Sequence, residues 1–358
     1  MLTQPSAEDH HWMLLALEQA QLGLGLTSPN PPVGAVIVQN MADGSQRMLA
    51  ADYHPRAGEL HAERRAIMQA REKGHSEALK GACIYVTLEP CSSWGKTPPC
   101  TDAIIEAGIT RVVYACVDPD LRHRGRADAL LRAAGIIVLS GVCEAACGAL
   151  LRPWAYAVTH KRPWLVAKVA TSLDARLSRK ETPWLSGEES LRYAHQLRAQ
   201  SDAILIGGGT LRNDNPSLTI RKPLQALDER KVQPWRVVVT RDKQKLMDEA
   251  GTAQFFCDEH RERSLVFSAV NDWVEDLLKP LYADYQVVQL MLECGGSLLQ
   301  ELLQAGVVNE WVQIVTPYLA GGPHHLIAGS SYLPQEFRLV HQEVTNMGSD
   351  MIIRGLVE

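Results

Sequence analysis

The sequence has no uninterrupted apolar run near the roughly 20 residues that cross a bilayer, which excludes a spanning helix as its organising feature. It also lacks a strong charge of either sign. Lysine and arginine total 36 against 41 acidic residues, a net charge of -5, and no basic block could track a phosphate backbone, so nucleic acid is not the expected partner. Eight cysteines are too few for a secreted disulfide framework, and a close pair of them reads instead as a metal or catalytic feature. Repeats and low-complexity stretches are missing as well, which excludes solenoids and fibrous arrays. Glu8 and Asp9 stand where a secretory signal would be basic, so a cytoplasmic setting is expected.

What is present is an ordinary globular composition, 46% hydrophobic and 22% charged, over 358 residues, enough for two domains with separate cores. Ser6 is placed to cap a helix reaching about Gln21, and Gly23 and Gly25 end it. The Asn30-Pro31-Pro32 turn leads into a β-branched run at 34–38, after which a loop is expected as far as His61. Helix over 62–72, strand over 82–88, helix over 101–107, strand over 111–117, helix over 127–134 and strand over 136–139 then give a βαβα alternation, the mark of a mainly parallel sheet. Pro153 and Pro163 mark a join between about 145 and 163, and the domains are expected at 1–148 and 149–358. In the second, strands are expected at 164–170, 203–206, 236–239, 265–267, 286–291 and 310–315, with helices between them, notably over 188–199 and 297–305.

The most informative cluster is His61-Ala62-Glu63 followed by Pro90-Cys91 and Cys100. One imidazole and two thiolates suit zinc and leave its fourth tetrahedral position open to water, as a catalytic site requires. His61 and Cys91 are expected at helix starts or in the loops leading to them, where the helix dipole favours ionised thiolates. Glu63 is not needed for coordination and can carry protons between water, a ring nitrogen and departing ammonia. A closed structural zinc site and unrelated buried cysteines are the competing readings. No fourth Cys or His sits at zinc-ribbon spacing, and Cys83, Cys116, Cys143 and Cys147 read as packing residues.

In the second half, Gly207-Gly208-Gly209 and Gly295-Gly296-Ser297 each follow an expected strand, where backbone amides can approach a phosphate. Arg212 stands where a dinucleotide fingerprint needs its third glycine, so that motif is absent.

The order His-x-Glu, Pro-Cys, Cys resembles the cytidine-deaminase superfamily. The segment 88–100, with eight residues between Cys91 and Cys100, together with Asn30-Pro31-Pro32-Val33-Gly34 and Gly58-Glu59-Leu60-His61, resembles the bifunctional riboflavin-biosynthesis pyrimidine deaminase/uracil reductases. Segments 168–174, 184–186, 214–218 and 317–322 extend the resemblance over nearly the whole chain.

The resemblance implies a cytidine-deaminase-like three-layer α/β domain followed by a dihydrofolate-reductase-like α/β domain that uses NADPH. It implies that Asn30 contacts the pyrimidine and that His54 and Lys96 hold a ribose phosphate. Thr171, Trp184, Thr210, Asp214, Gly295, Gly296 and Ser297 would contact NADPH. Thr182, Arg198, Leu218, Arg221 and Glu293 would line the sugar-phosphate pocket, with Lys168, Asp174 and Glu293 orienting the opened ribose for hydride delivery.

Two departures stand out: Ser93 replaces a usual His, and Ala175 replaces a usual Gly. The expected protein is thus a homo-oligomeric zinc hydrolase and NADPH oxidoreductase acting on a small pyrimidine ribotide, with no nucleic-acid or membrane partner. A nucleotide or transfer-RNA base deaminase with an unrelated second domain, and a zinc-stabilised binding module, are the alternatives.

Overall fold

The computed structural model describes residues 4–95, 98–121, 123–178, 185–221, 231–327 and 335–358. Two compact units part after residue 160, Met1–His160 and Lys161–Glu358.

In the first unit, helices α1 (Ala7–Gln21), α2 (Ala62–Glu72), α3 (Cys100–Glu106), α4 (Arg126–Ala133) and α5 (Glu144–His160) accompany strands β1 (Gly34–Asn40), β2 (Gln46–Tyr53), β3 (Cys83–Leu88), β4 (Arg111–Cys116) and β5 (Ile137–Ser140). Ser6 caps α1 in a reciprocal box with Asp9. The sheet order is β2-β1-β3-β4-β5. Only β3, β4 and β5 run parallel; β1 is antiparallel to both of its neighbours, which corrects the expected mainly parallel sheet. The expected loop before His61 contains β2, a hairpin partner whose Met48, Ala50 and Ala51 lack the β-branching that signals a strand.

Alternate sheet residues Val36, Val38, Cys83, Tyr85, Val113 and Ala115 form a core with Met13 and Ala16 of α1 and Cys147 of α5. Helices α2 and α4 also pack on the sheet, and α3 packs against both of them, completing the unit's layers. The boundary expected at 148/149 falls inside α5, which runs through Pro153, so the proline read as a join lies within a helix.

The second unit holds strands β6 (Trp164–Ser172), β7 (Ala203–Gly207), β8 (Trp235–Thr240), β9 (Ser264–Ser268), β10 (Gln289–Leu292), β11 (Glu310–Thr316), β12 (Leu339–Met347) and β13 (Asp350–Val357). Its helices are α6 (Glu188–Gln200), α7 (Gly208–Asp214), α8 (Lys243–Ala250), α9 (Gln254–Cys257), α10 (Trp273–Ala283) and α11 (Gly296–Gln304). The sheet runs β12-β13-β11-β6-β10-β7-β8-β9, parallel from β11 to β9 and closed by the antiparallel β12–β13 pair. All six expected strands are present, whereas β12 and β13 were not anticipated. Much of β12 is exposed and polar, so it carries little hydrophobic signal. Buried Leu, Val and Ala side chains from β6, β7, β8 and β10 pack with Leu277, Leu281, Leu299 and Leu302 of α10 and α11.

Candidate active sites

In the first unit, Gly34 allows α1 to lie directly on β1: a Cβ there would come within 2.0 Å of the Ala16 carbonyl. His61 is the N-cap of α2, Cys91 lies in the loop after β3, and Cys100 opens α3. Arg64, in the first turn of α2, donates to the Pro98 and Pro99 carbonyls at 3.1 and 2.7 Å and so holds the loop that delivers Cys100. Sequence reasoning missed Arg64, because a basic residue on a helix carries no mark of what it clamps.

The result brings His61 Nδ1 to 3.4 Å from Cys91 Sγ and 3.5 Å from Cys100 Sγ, and the ligand atoms all lie within 4.8 Å of one another. Among the described residues this is the one group of three or more such side chains able to hold a metal ion. The Cys91 sulfur also accepts from the Cys100 amide at 3.2 Å. A hydrogen bond from the Cys100 thiol, with help from His61, pulls the Cys91 thiol down to about 4, while that same bond and burial push Cys100 up. Cys91 is thus the more readily ionised of the two, and the donor set fits a thiophilic cation such as zinc, which would hold both as thiolates.

Glu63 is buried and lines the same 240 Å³ cavity as His61, Cys91 and Asn30. Burial pushes its carboxyl up, as does the charge on Cys91. His54 has both ring nitrogens engaged, Nδ1 with the Leu60 carbonyl at 3.2 Å and Nε2 with Asn30 Nδ2 at 3.1 Å. If Nδ1 donates, Nε2 accepts from the amide; burial also lowers the ring's pKa and favours the neutral form. His54, expected to hold a ribose phosphate, lines the cavity and clamps Asn30. Lys96 lies outside the described residues. Ser93 Oγ lies 3.1 Å from His123 Nδ1, so an imidazole, unforeseen in the sequence, does reach this end of the cavity.

In the second unit a 620 Å³ cavity is lined by β6, β11 and the carboxyl end of β7, by the segments that follow β7 and β10, and by one face of α6, near the usual place for ligands in open α/β sheets. Lys168, Thr210, Asp214, Arg198, Leu218, Arg221, Glu293 and Gly295, all singled out in the sequence, line it. Glu293, just past β10, accepts from Arg198 at 2.5 and 2.8 Å and lies 3.5 Å from Lys168 Nζ. Burial pushes the Glu293 carboxyl up, but the two cations outweigh burial and hold it well below the usual carboxylate range. Arg198 also donates to the Thr219 carbonyl at 3.1 Å.

Other expected residues lie off the cavity wall. Thr171 is fully buried, its hydroxyl accepts from Gln313 Nε2 at 2.9 Å, and it does not line the cavity. Asp174 accepts from Ser172 Oγ at 2.6 Å and from the Ala320 and Gly321 amides at 2.8 Å each, so it staples two chain segments and is not on the cavity wall. The Gly296 amide is taken by the Leu326 carbonyl at 3.0 Å and neither it nor Ser297 lines the cavity. Carry-over by motif marks a segment but does not say which side chain of the segment turns inward. Thr182 and Trp184 lie outside the described residues. Ala175 adopts a φ of 55°, the left-handed region that favours the glycine the resemblance leads one to expect there.

Residues 6–116 match the cytidine and deoxycytidylate deaminase zinc-binding region, and residues 163–353 match the RibD C-terminal domain. The riboflavin biosynthesis protein RibD of Aquifex aeolicus is 33% identical over 96% of this chain and 97% of its own. Acinetobacter baumannii RibD superposes with a TM-score of 0.85 at 31% identity, covering 98% of this chain and 99% of that one. A Thermotoga maritima structure, described as a diaminohydroxyphosphoribosylaminopyrimidine deaminase/5-amino-6-(5-phosphoribosylamino)uracil reductase, gives 0.77 at 30% identity over 97% of both chains. The two domain families imply zinc in the first unit and a nicotinamide cofactor in the second. With both halves matched by the same relatives from end to end, the chain belongs to the RibD family of riboflavin biosynthesis proteins, enzymes that join a deaminase to a reductase.

Proposed function

We propose that the first unit removes the exocyclic amine of 2,5-diamino-6-(5-phosphoribosylamino)pyrimidin-4-one and that the second reduces the ribosyl group of the product with NADPH, giving 5-amino-6-(5-phosphoribitylamino)uracil. The observation that carries this reading is the cluster of His61, Cys91 and Cys100, two of which line one cavity with the buried carboxyl of Glu63. His61, Cys91 and Cys100 would hold zinc, which supplies Lewis-acid activation of water when bound. Glu63 takes a proton from that water, gives it to a ring nitrogen, and passes another to the departing ammonia. Its burial suits the task, because a carboxyl with a raised pKa both accepts and returns a proton. Asn30, held by His54, orients the pyrimidine.

In the second unit NADPH supplies the hydride. Lys168, Glu293 and Arg198 form a pre-set charge network beside which the opened ribose is oriented, and Arg198 and Arg221 supply positive charge for its phosphate. Thr210, Asp214 and Gly295 serve the cofactor. A small ribotide is the partner in this reading, within a cytoplasmic homo-oligomer. The near balance of charge supports a role without nucleic acid, and no helix among the described residues is long and apolar enough to cross a membrane.

The test supplies the diaminopyrimidine ribotide to zinc-loaded enzyme and follows ammonia and then NADPH oxidation. The expected result is ammonia release followed by equimolar NADPH consumption. Ammonia without NADPH consumption would defeat the reductase half, and no ammonia would defeat the deaminase half.

A further inference from the structure

His195 lines the cavity of the second unit, although neither the sequence motifs nor the roles assigned above include it. It lies on α6 three residues before Arg198, so the two side chains share a helix face, and Glu293 and the Thr219 carbonyl fix Arg198 in place. The Nδ1 of His195 is buried and, among the described residues, has no hydrogen-bond partner. Such an atom is uncommon in a folded protein. An unmatched lone pair is better tolerated than an unmatched N–H, so Nδ1 is the bare nitrogen and the proton sits on Nε2. With Nδ1 shut away, Nε2 is the ring nitrogen left to serve a ligand in the cavity that His195 lines.

The charges around the ring are Arg198, Arg221 and Lys168 against Glu293. Burial first, then Arg198 and Arg221, bring the imidazole down to about 4, so it is neutral at physiological pH. The cavity therefore offers a directional donor that adds no charge beside its fixed cations.

Resting on the reductase reading above, we infer that His195 is a substrate-contacting residue whose Nε2–H donates to an acceptor oxygen of the phosphorylated sugar chain. Arginines attract the anion from many orientations. A single neutral donor on a rigid helix discriminates among them, favouring a sugar that places an oxygen at that point.

The test measures NADPH oxidation with the deaminated ribotide in the wild type, His195→Ala and His195→Gln, varying each substrate in turn. Removing one such hydrogen bond is expected to raise the KM for the ribotide about tenfold, with the KM for NADPH and ammonia release unchanged. His195→Gln, which presents an N–H at similar reach, should recover most of the loss. A ribotide KM in His195→Ala equal to that of the wild type would overturn the assignment. So would equal rises in both KM values, since the ring would then only be packing. A wild type that leaves NADPH unoxidised would overturn the reductase reading as well, and that failure is told apart because it precedes any substitution.

Discussion

The two cavities of this chain are completed in different ways. In the first unit the functional side chains are unfinished by themselves: two sulfurs gather on one imidazole, and a buried carboxyl stands beside them. In the second, Glu293 is already neutralised by Arg198 and Lys168. A site that awaits a cation must gather several ligands of fixed type, which leaves a compact mark in the sequence. A site that supplies its own counter-ions draws them from β6, α6 and the end of β10, and the mark is scattered.

The largest effect expected from breaking this contrast is at Glu293. Glu293→Gln leaves Arg198 and Lys168 without their buried counter-charge, and loss of one partner of a buried pair costs about 3 kcal/mol or more. Denaturant melts should show that loss, NADPH oxidation should fall with it, and ammonia release should persist.

A smaller effect isolates the scaffold of the first unit from its site. Asp9 is buried and bonded to Arg111 at 2.6 and 3.0 Å and to the Tyr85 hydroxyl at 2.9 Å, and none of the three lines the cavity. Burial pushes the Asp9 carboxyl up, and the bonds from Arg111, Ser6 and Tyr85 reverse this and take it down to about 2, against 3.8 for the free group. A depressed carboxyl stabilises the fold fully above about pH 4, and that contribution, on the order of 2 kcal/mol, is lost as pH falls towards 2. Stability measured across that window should drop in the wild type and stay flatter in Asp9→Asn.

The smallest effect concerns the turn after β6. Ala175→Gly relieves a left-handed alanine, and a gain of about 1 kcal/mol in stability is expected from thermal melts.

How much was legible follows from the same contrast. His61, Glu63, Cys91 and Cys100 could be read because their chemistry fixes residue type and spacing within 40 positions. Strands β6 to β11 were legible from apolar runs, and α1 from its cap. Strand β2 was hidden by its alanines, β12 by its polar face, and α5 by Pro153. Thr171 and Asp174 lie off the cavity wall, which the sequence could not show because motif similarity locates a segment and not the direction of a side chain. His195 and Arg64 were missed because nothing separates a lone basic or imidazole side chain on a helix from a solvated one until its neighbours are known.

The most direct measurement is bound zinc and ammonia release in Glu63→Gln. The account predicts full metal content, a fall in deamination of at least about 10²-fold, and unchanged NADPH oxidation with the deaminated ribotide. Ammonia release at the wild-type rate from a zinc-loaded variant would contradict it.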